Sequence, residues 1–252
     1  MVQDMHAGNV TQHISQWCSL TSDPEILDTV RGLPIELVDD LTSPKHFHQY
    51  PFNAEEHKFV EEEIQRLLVL GAIVPSSHEP DEHVSPIFVR PKDDGAYRLI
   101  LNLKKLNEAT EYIHFKMDTL ESILCLITPG AYMAKIDIKD AYYSVGIKTE
   151  DQKKLKFQFD GYLHKFKVLP NGYSPGPRKF TKLLKPALSE LRLDRVTLAA
   201  YLDDMFTLNV NKHGCRDNIF KICSMLQDLG FVIHPHKTTF EPSTTLEYLG
   251  FV

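Results

Sequence analysis

The chain has 252 residues, of which 42% are hydrophobic and 25% charged, and its formal net charge is −6 at pH 7. This is the composition of an ordinary soluble globular protein, long enough for one large domain or two small ones. No run of about 18 apolar residues occurs, the N-terminus lacks a signal peptide, and the four cysteines lack metal-ligand spacing. We therefore expect an intracellular protein, cytoplasmic or nuclear and not secreted, without a membrane partner.

The charged residues are unevenly distributed along the chain. Residues 1–63 carry 3 basic and 12 acidic side chains, whereas residues 148–192 carry 11 basic and 4 acidic side chains. A basic segment of this kind is a candidate surface for nucleic acid. The aromatic residues within it could stack on bases, but core packing is the commoner role of such side chains and is favoured here. They are Phe157, Phe159, Tyr162, Phe166, Tyr173 and Phe180.

Helix signals open the chain. Asp23, followed by Pro24, has the pattern of a cap residue before proline at the first helical position, and it predicts a short helix that ends at Gly32. Asn53 with Glu56 three residues later predicts a capping box and the clearest helix of the chain. That helix has one apolar face and is expected to end at Gly71.

Strand and hairpin signals follow. Short strands are predicted near residues 72–74 and 84–89. Asp94-Gly95 is a turn signal between residues 86–90 and 97–103, which predicts a hairpin. This hairpin carries the basic residues Arg90, Lys92 and Arg98.

The second half of the chain alternates hairpins and helices. A strand over residues 133–138 brings Asp137 near its C-terminal end, and a hairpin is predicted to turn at Asp160-Gly161. A long helix begins near Gly176, and a last helix covers roughly residues 215–229. The remaining predicted strands lie near residues 196–200, 205–210, 231–233 and 246–252. Mixed helices and hairpins predict the α+β fold class.

The most informative residues are acidic. Asp203 and Asp204 lie between two apolar strands, where adjacent carboxylates are costly to desolvate unless a cation binds them. Asp137 ends a similar strand upstream. The pattern predicts a divalent metal ion held by carboxylates from separate strands.

These motifs occur in a recognisable order. Asp137-x-x-Asp140-Ala141-Tyr142 precedes Tyr201-Leu202-Asp203-Asp204, and the sequence resembles the polymerase domain of reverse transcriptases. The resemblance covers roughly residues 45–252 and includes Leu169-Pro170-Asn171-Gly172, Lys237 and Leu249-Gly250. It implies the fingers and palm of a right-hand polymerase, with an antiparallel palm sheet packed on helices and the thumb absent.

The same resemblance implies a domain arrangement. Residues 1–40 would be an N-terminal extension, and residues 41–111 with 146–175 would be the fingers. Residues 112–145 with 176–252 would be the palm, with the chain ending at the primer-grip region. We expect a fragment of a longer retroelement protein.

The implied activity is RNA-directed DNA synthesis by a two-metal mechanism. Two Mg²⁺ ions about 4 Å apart would serve it, with Mn²⁺ as a substitute. Asp137 and Asp203 are the leading pair of metal ligands, Asp204 is the third carboxylate, and the resemblance places Ile138 with them. Lys237 matches a late lysine that protonates the pyrophosphate, although a surface lysine is an equal interpretation. The partners would be a primed RNA or DNA template and dNTPs, with the oligomeric state undetermined.

The resemblance also implies a dNTP site. Arg98 and Lys92 would bind the triphosphate, with Arg90 as an alternative to Lys92. Asp140 and Ala141 would line the pocket, and backbone N–H groups of residues 138–141 would face the triphosphate, whereas a helix cap is an alternative role for Asp140.

Two further residues complete the predicted dNTP site. Tyr142 would exclude the 2′-hydroxyl of a ribonucleotide, with core packing as the alternative. Asn171 departs from the Gln or Phe that many relatives carry in this loop.

The sequence also allows two functions other than a polymerase. A two-metal nuclease would also use clustered carboxylates, but it would need neither Tyr142 nor a basic hairpin. A catalytically inactive nucleic-acid-binding remnant is a third interpretation. Within the reverse transcriptases, the chain resembles LTR-type elements, and the pattern Trp17-x-x-Leu20-Thr21-Ser22-Asp23-Pro24 resembles the segment before the polymerase domain of DIRS-like elements.

Overall fold

The structure is a computed structural model that describes residues 6–41, 49–91, 95–111, 113–117 and 120–251. Lys92, Asp94 and Val252 lie outside the described residues. The α-helices are α1 (Asn9–Gln12), α2 (Ile14–Leu20), α3 (Pro24–Arg31), α4 (Ala54–Leu70), α5 (Lys104–Glu108), α6 (Leu120–Leu124), α7 (Gly176–Leu193) and α8 (Lys212–Asp228). The strands are β1 (Ile73–Pro75), β2 (Ile87–Pro91), β3 (Tyr97–Leu101), β4 (Tyr132–Asp137), β5 (Lys156–Phe159), β6 (Tyr162–Phe166), β7 (Thr197–Tyr201) and β8 (Asp204–Asn209).

The α4 helix begins and ends as its sequence predicts. The Asn53 side chain accepts hydrogen bonds from the backbone of Glu55 and Glu56, and the Glu56 carboxylate accepts one from the Asn53 backbone. These bonds satisfy N–H groups that the first helical turn leaves without partners. Gly71, at φ 76°, closes the other end in the left-handed conformation that glycine adopts without strain.

Two small sheets form the part of the molecule that the sequence assigns to the fingers. Strands β1, β6 and β5 make one antiparallel sheet, and β2 pairs with β3. The β5–β6 hairpin turns at Asp160 and Gly161, which have φ angles of 48° and 81°. Positive φ at both central residues of a two-residue loop matches the right-handed twist of the strands, so the predicted Asp-Gly turn is confirmed.

A third antiparallel sheet, of order β4-β8-β7, positions the acidic residues. Its register pairs Asp137 with Asp204 and also pairs Tyr201 with Asp204. Leu202 and Asp203 are therefore the two residues of the β7–β8 turn, beyond the last strand pairs. Leu202 has φ 56°, which is unusual for a bulky side chain and is a strained conformation of the kind found at functional sites.

Both faces of this sheet are covered. On one face, Ala134 packs with Cys215 and Ile219 of α8. On the other face, Phe206 and Leu208 belong to a second apolar cluster. The buried stripe of α7 contributes to the main core as its spacing predicts, through Phe180, Leu183, Leu184, Ala187, Leu188 and Leu191.

Some predicted boundaries are wrong. Helix α8 begins at Lys212 rather than at residue 215, because the Asn211 side chain caps it by accepting from the Gly214 N–H. In the described part of the C-terminal region, residues 231–233 and 246–251 make single bridges instead of strands. Leu249 and Gly250 have φ angles of 50° and 80° and turn the chain back on itself, so that Tyr248 forms a bridge with Phe251.

The N-terminal residues share the main core. Val10, Trp17, Val30 and Leu33 are each 0% exposed and belong to the same apolar cluster as α4 and α7. Of the aromatic residues in the basic segment, Phe157, Phe166, Tyr173 and Phe180 are buried, which confirms core packing for those four. Among the described residues, no helix is both long enough and apolar enough to span a membrane.

Candidate active site

The three aspartates lie at one end of the β4-β8-β7 sheet. Asp137 and Asp204 are direct cross-strand partners, and the Ile138 N–H donates to the Asp203 carbonyl oxygen at 3.0 Å. Asp137 is buried, while Asp203 and Asp204 are half-buried. Residues that are 66 positions apart in sequence are therefore joined by a strand ladder and one backbone hydrogen bond.

This arrangement makes the acidic site electrostatically unfavourable. Burial raises the pKa of Asp203, and the neighbouring charge of Asp137 raises it further. Burial raises the pKa of Asp204 as well, with added repulsion from Asp203 and Asp137. The Lys237 ammonium lies 3.6 Å from Asp137 Oδ2 and offsets part of this repulsion. A further positive charge at this site would therefore stabilise the ionised carboxylates.

The donor chemistry fits a hard divalent cation. Carboxylate oxygens are the ligands that Mg²⁺ prefers, and one or two carboxylates per ion suffice because Mg²⁺ keeps several waters. Within the described residues, no three His, Cys, Asp or Glu side chains are already arranged as the ligands of one ion. Asp137, Asp203, Asp204 and Ile138 remain the predicted ligands.

The backbone after Asp137 differs from the prediction. The Ile138 N–H is bonded to Asp203, and the Lys139 N–H donates to the Val232 carbonyl at 2.8 Å. Neither group faces a ligand, because the Asp203 carbonyl of the β7–β8 turn accepts from one and the Val232 carbonyl accepts from the other. The prediction that N–H groups from 138 onward face the triphosphate is wrong for these two residues.

Asp140 has a left-handed backbone conformation, unlike the residues of strand β4 before it. Its φ is 46°, and it precedes a 3₁₀-helix at Ala141–Ser144 without capping that helix through its side chain. Instead, Asp140 Oδ2 lies 3.5 Å from Arg66 Nη1 on α4. The alternative role of Asp140 as a side-chain cap is therefore wrong.

Arg66 is a site residue that the sequence did not reveal. Its Nε and Nη2 each donate to the Glu63 carboxylate at 2.8 Å, and this bond is the main reason that its pKa is raised. In sequence, Glu63 and Arg66 are an ordinary i,i+3 pair on a solvated helix face. No local signal connects that face to Asp140, since the contact spans 74 residues.

Two adjacent cavities lie beside Asp137, Asp203 and Arg66. One, of about 430 Å³, is bounded by Asp137, Ile138, Ala141, Tyr142, Asp203 and Lys237, among other residues. The second, of about 680 Å³, is lined by the polar face of α4 and by Arg98 of β3. Asp140, Tyr143 and Asn171 border both cavities.

Two predicted triphosphate ligands are not at the smaller cavity. Arg98 is exposed and lies at the second cavity, opposite Arg90 in the β2–β3 pair. Arg90 lies over the Phe88 ring, with 5.6 Å between its guanidinium carbon and the ring centroid. Lys92, the other predicted ligand on this hairpin, lies outside the described residues.

The two neighbouring tyrosines have different surroundings. Tyr142 packs on Phe180 with ring centroids 5.3 Å apart, and burial followed by the Asp203 charge raises its pKa. Tyr143 packs toward Phe166, burial raises its pKa to about 12, and it hydrogen-bonds the Asn171 side chain. Tyr142 thus both packs in the protein and borders the carboxylates.

Known proteins resemble this chain in sequence. Residues 90–252 match the sequence profile of the family described as reverse transcriptase (RNA-dependent DNA polymerase). The Pro-Pol polyprotein of simian foamy virus type 1 is 24% identical over 218 residues, which are 86% of this chain and 18% of that protein. The transposon Tf2-3 polyprotein of Schizosaccharomyces pombe is 22% identical over 234 residues, covering 92% and 17% respectively. The chain therefore spans less than a fifth of these curated relatives.

Solved structures share the fold. A foamy viral protease-reverse transcriptase in complex with dsDNA aligns with a TM-score of 0.71 and 22% identity, over 86% of this chain and 44% of that one. The native prototype foamy virus protease-reverse transcriptase aligns with a TM-score of 0.69 and 19% identity, over 94% and 34%. Along with the mixed helices and antiparallel sheets, these alignments confirm the predicted α+β, reverse-transcriptase-like fold.

Proposed function

The chain belongs to the reverse transcriptase family, and from that premise we propose that it is an RNA-directed DNA polymerase. The observation that carries the proposal is the cross-strand pairing of Asp137 with Asp204, with Asp203 in the adjoining turn. The retroviral and transposon relatives agree with an LTR-type element. The resemblance of residues 17–24 to DIRS-like elements stays a prediction.

The proposed cofactor is a pair of Mg²⁺ ions, replaceable by Mn²⁺. Asp137, Asp203 and Asp204 would hold them, with Ile138 contributing from the backbone. When bound, such ions activate the primer 3′-hydroxyl and neutralise the leaving pyrophosphate. The raised pKa values of Asp203 and Asp204 support this proposal, because a bound cation would relieve the repulsion that raises them.

The other predicted residues would bind and orient the substrate. We assign the sugar to the 430 Å³ cavity, with Tyr142 against its 2′ position and Asp140, Ala141 and Asn171 along its border. Arg98 and Lys92 would approach the triphosphate from the β2–β3 hairpin. Lys237, whose ammonium is 3.6 Å from Asp137, would hold a proton for the pyrophosphate.

The proposed domains follow the sequence. Residues 41–111 and 146–175 would be the fingers, and residues 112–145 and 176–252 the palm. The proposed partners are dNTPs and a primed RNA or DNA template, bound inside the cell. The structural relative that was solved in complex with dsDNA, a foamy viral protease-reverse transcriptase, supports the proposal of nucleic-acid binding.

Primer extension tests the function. Purified protein, a DNA primer on an RNA template, dNTPs and Mg²⁺ should yield single-nucleotide addition, whereas Asp203→Asn should lose it by a factor of about 10³ or more. Asp217→Asn, an exposed acid on α8, is the matched control and should behave as the parent. Binding without extension in either metal would favour the inactive remnant, and metal-dependent cleavage of the template would favour the nuclease.

A further inference from the structure

Residues 6–17, here called the N-terminal strap, lie against the end of α8. The Asn9 side-chain amide donates to the Gly230 carbonyl at 2.9 Å, and Trp17 Nε1 donates to the Leu229 carbonyl at 3.1 Å. His13 Nδ1 lies 2.8 Å from the Asp228 carbonyl oxygen. Asn9 lies in α1, Trp17 lies in α2, and His13 is the residue between these two short helices. Together the three residues bind the successive carbonyl groups of residues 228–230, at the end of α8 and just after it.

The strap and the turn after α8 are fitted closely to each other. Trp17 is 0% exposed, and its ring meets the Phe231 ring edge-on at 6.3 Å. Gly230 has φ 92°, and a Cβ atom added there would lie 2.9 Å from both the Asn9 carbonyl oxygen and His13 Cδ2. Any side chain at position 230 would therefore push the strap away.

The residues that follow this turn are hydrogen-bonded to the end of strand β4, where Asp137 lies. After Phe231, the Val232 carbonyl accepts from the Lys139 N–H, and the His234 N–H donates to the Asp137 carbonyl, both at 2.8 Å. These two bonds lie on either side of Ile138, and one of them holds the carbonyl group of Asp137 itself. Displacement of the turn would thus be transmitted to Asp137 through two hydrogen bonds.

The strap also touches the other side of the site. The Gly8 N–H donates to the Tyr143 carbonyl at 2.8 Å, next to Tyr142 in the 3₁₀-helix that borders the smaller cavity. The region matched to the reverse transcriptase family begins at residue 90, so the strap lies outside it. The strap therefore contacts the 3₁₀-helix that contains Tyr142 directly, and it contacts the strand of Asp137 through the turn after α8.

We propose that the N-terminal strap positions the active site, with Trp17 as its main positioning residue, acting through Leu229 and Phe231 on Asp137. In its effect on catalysis, this inference rests on the proposed polymerase function. Trp17 touches no reacting group. Its contribution is to hold Asp137 and its neighbours at the spacing that the reaction requires, where a displacement of about 1 Å is enough to slow a reaction strongly.

Amide hydrogen exchange and primer-extension kinetics, measured on the same variants, test the positioning role of the strap. Trp17→Phe keeps an aromatic ring against Phe231 but removes the bond to Leu229, and Asn9→Ala removes the bond to Gly230. Ser19→Ala is the matched control, because Ser19 also donates to a backbone carbonyl, that of Gln16, but on the exposed side of α2. Each variant is measured by amide exchange across the whole chain and by kcat and KM for dNTP in primer extension.

We expect amide exchange at residues 138–139 and 231–234 to accelerate by about tenfold in both strap variants, while the β5–β6 hairpin stays as in the parent. The kcat should fall by about tenfold with little change in KM, since positioning affects the chemical step more than binding. Ser19→Ala should match the parent in every measurement.

The outcomes separate the two proposals. Unchanged exchange, acceleration throughout the chain, or accelerated local exchange with parental kcat would each overturn the positioning role. If the parent itself extends no primer, the polymerase proposal fails, while local acceleration of exchange would still support the coupling between the strap and the Asp137 strand.

Discussion

At the scale of single residues, the acidic site opposes the folding of the protein. Asp203 and Asp204 have pKa values raised above 3.8 by burial and by repulsion, so their charged forms are less stable in the folded chain than in the unfolded one. Shifts of this kind are typical of functional sites, because the same charges that cost folding free energy attract a cation.

Neutralising one of these carboxylates should stabilise the protein. At pH 7, we expect Asp204→Asn to raise the melting temperature by about 3 °C, because it removes a repelled charge. A raised folded-state pKa means that the cost is present at neutral pH and disappears as the pH falls through the raised pKa toward 3.8. The advantage of the variant should therefore vanish in acid, and thermal melts across pH 3 to 8 would check this.

Asp217→Asn serves as the control for that experiment, since its carboxylate is exposed and lies near His213 on α8. It should give no gain at neutral pH. A gain in this control equal to that of Asp204→Asn would indicate a general effect of net charge and contradict the local explanation.

Tyr142 is the second residue with a testable role. Truncation of its ring should open the smaller cavity next to Asp203, so Tyr142→Ala should reduce the preference for dNTP over rNTP by about 100-fold. The measurement is the ratio of kcat/KM values for the two nucleotides. This ratio does not depend on the amount of folded enzyme, which matters because Tyr142 also packs on Phe180.

Tyr143→Phe is the neighbouring control, as Tyr143 packs toward Phe166 and keeps its ring in this variant. Unaltered discrimination in Tyr142→Ala would leave core packing as the only role for this ring.

At the scale of elements, one buried lysine anchors the loop before β2 to strand β5. Lys156 is 0% exposed, and its ammonium lies 2.7 Å from Glu79 Oε1, from Glu82 Oε2 and from the Ser77 carbonyl. The strand periodicity predicts β5 but not this contact, because alternation marks which face a residue occupies and not which loop covers that face.

Removal of this anchor should be costly. Lys156→Ala leaves the largely buried Glu82 carboxylate without its ammonium partner, and we expect a loss of about 3 kcal/mol in the free energy of unfolding. Urea denaturation would measure it. Lys58→Ala breaks an exposed pair with Glu62 in which the atoms are 3.8 Å apart, and it should change stability little. Equal effects of the two substitutions would refute the role of burial.

At the scale of the whole molecule, opposite charges that are separated in sequence meet in the fold. Lys179 lies 3.1 Å from Glu36, and Lys182 pairs with Glu25, so the acidic N-terminal part neutralises some of the basic segment. Within the described residues, ion pairs also involve Lys153, Lys154 and Lys156 of the same segment. The basic surface left for nucleic acid is therefore smaller than the sequence count suggests.

This partial neutralisation leads to a prediction for binding. Affinity for a primed template should fall with salt, by about 100-fold between roughly 50 and 200 mM if about four phosphates are contacted. Fluorescence anisotropy would measure the slope. Lys182→Gln should leave the slope unchanged, because this lysine is already paired with Glu25. Binding that is insensitive to salt would contradict an electrostatic interface.

The sequence by itself determined the elements that local chemistry controls. The capping box of α4, the Asp160-Gly161 turn and the strands on either side of Asp203 were all predictable, because each depends on residues a few positions apart. The family resemblance also indicated which aspartates belong together. The start of α8 at residue 212 was less predictable, since it depends on the Asn211 cap. The conformation of residues 231–233 was also less predictable, since it depends on hydrogen bonds to the backbone after β4.

Only the tertiary structure decided the contacts between distant segments. The Arg66–Asp140 pair, the burial of Lys156 and the bonds from the N-terminal strap to the turn after α8 join residues 74 to 221 positions apart. No periodicity encodes such pairs, because a side chain's partner depends on how whole elements pack. The sequence thus specified which groups were available for chemistry, and packing determined which of them meet.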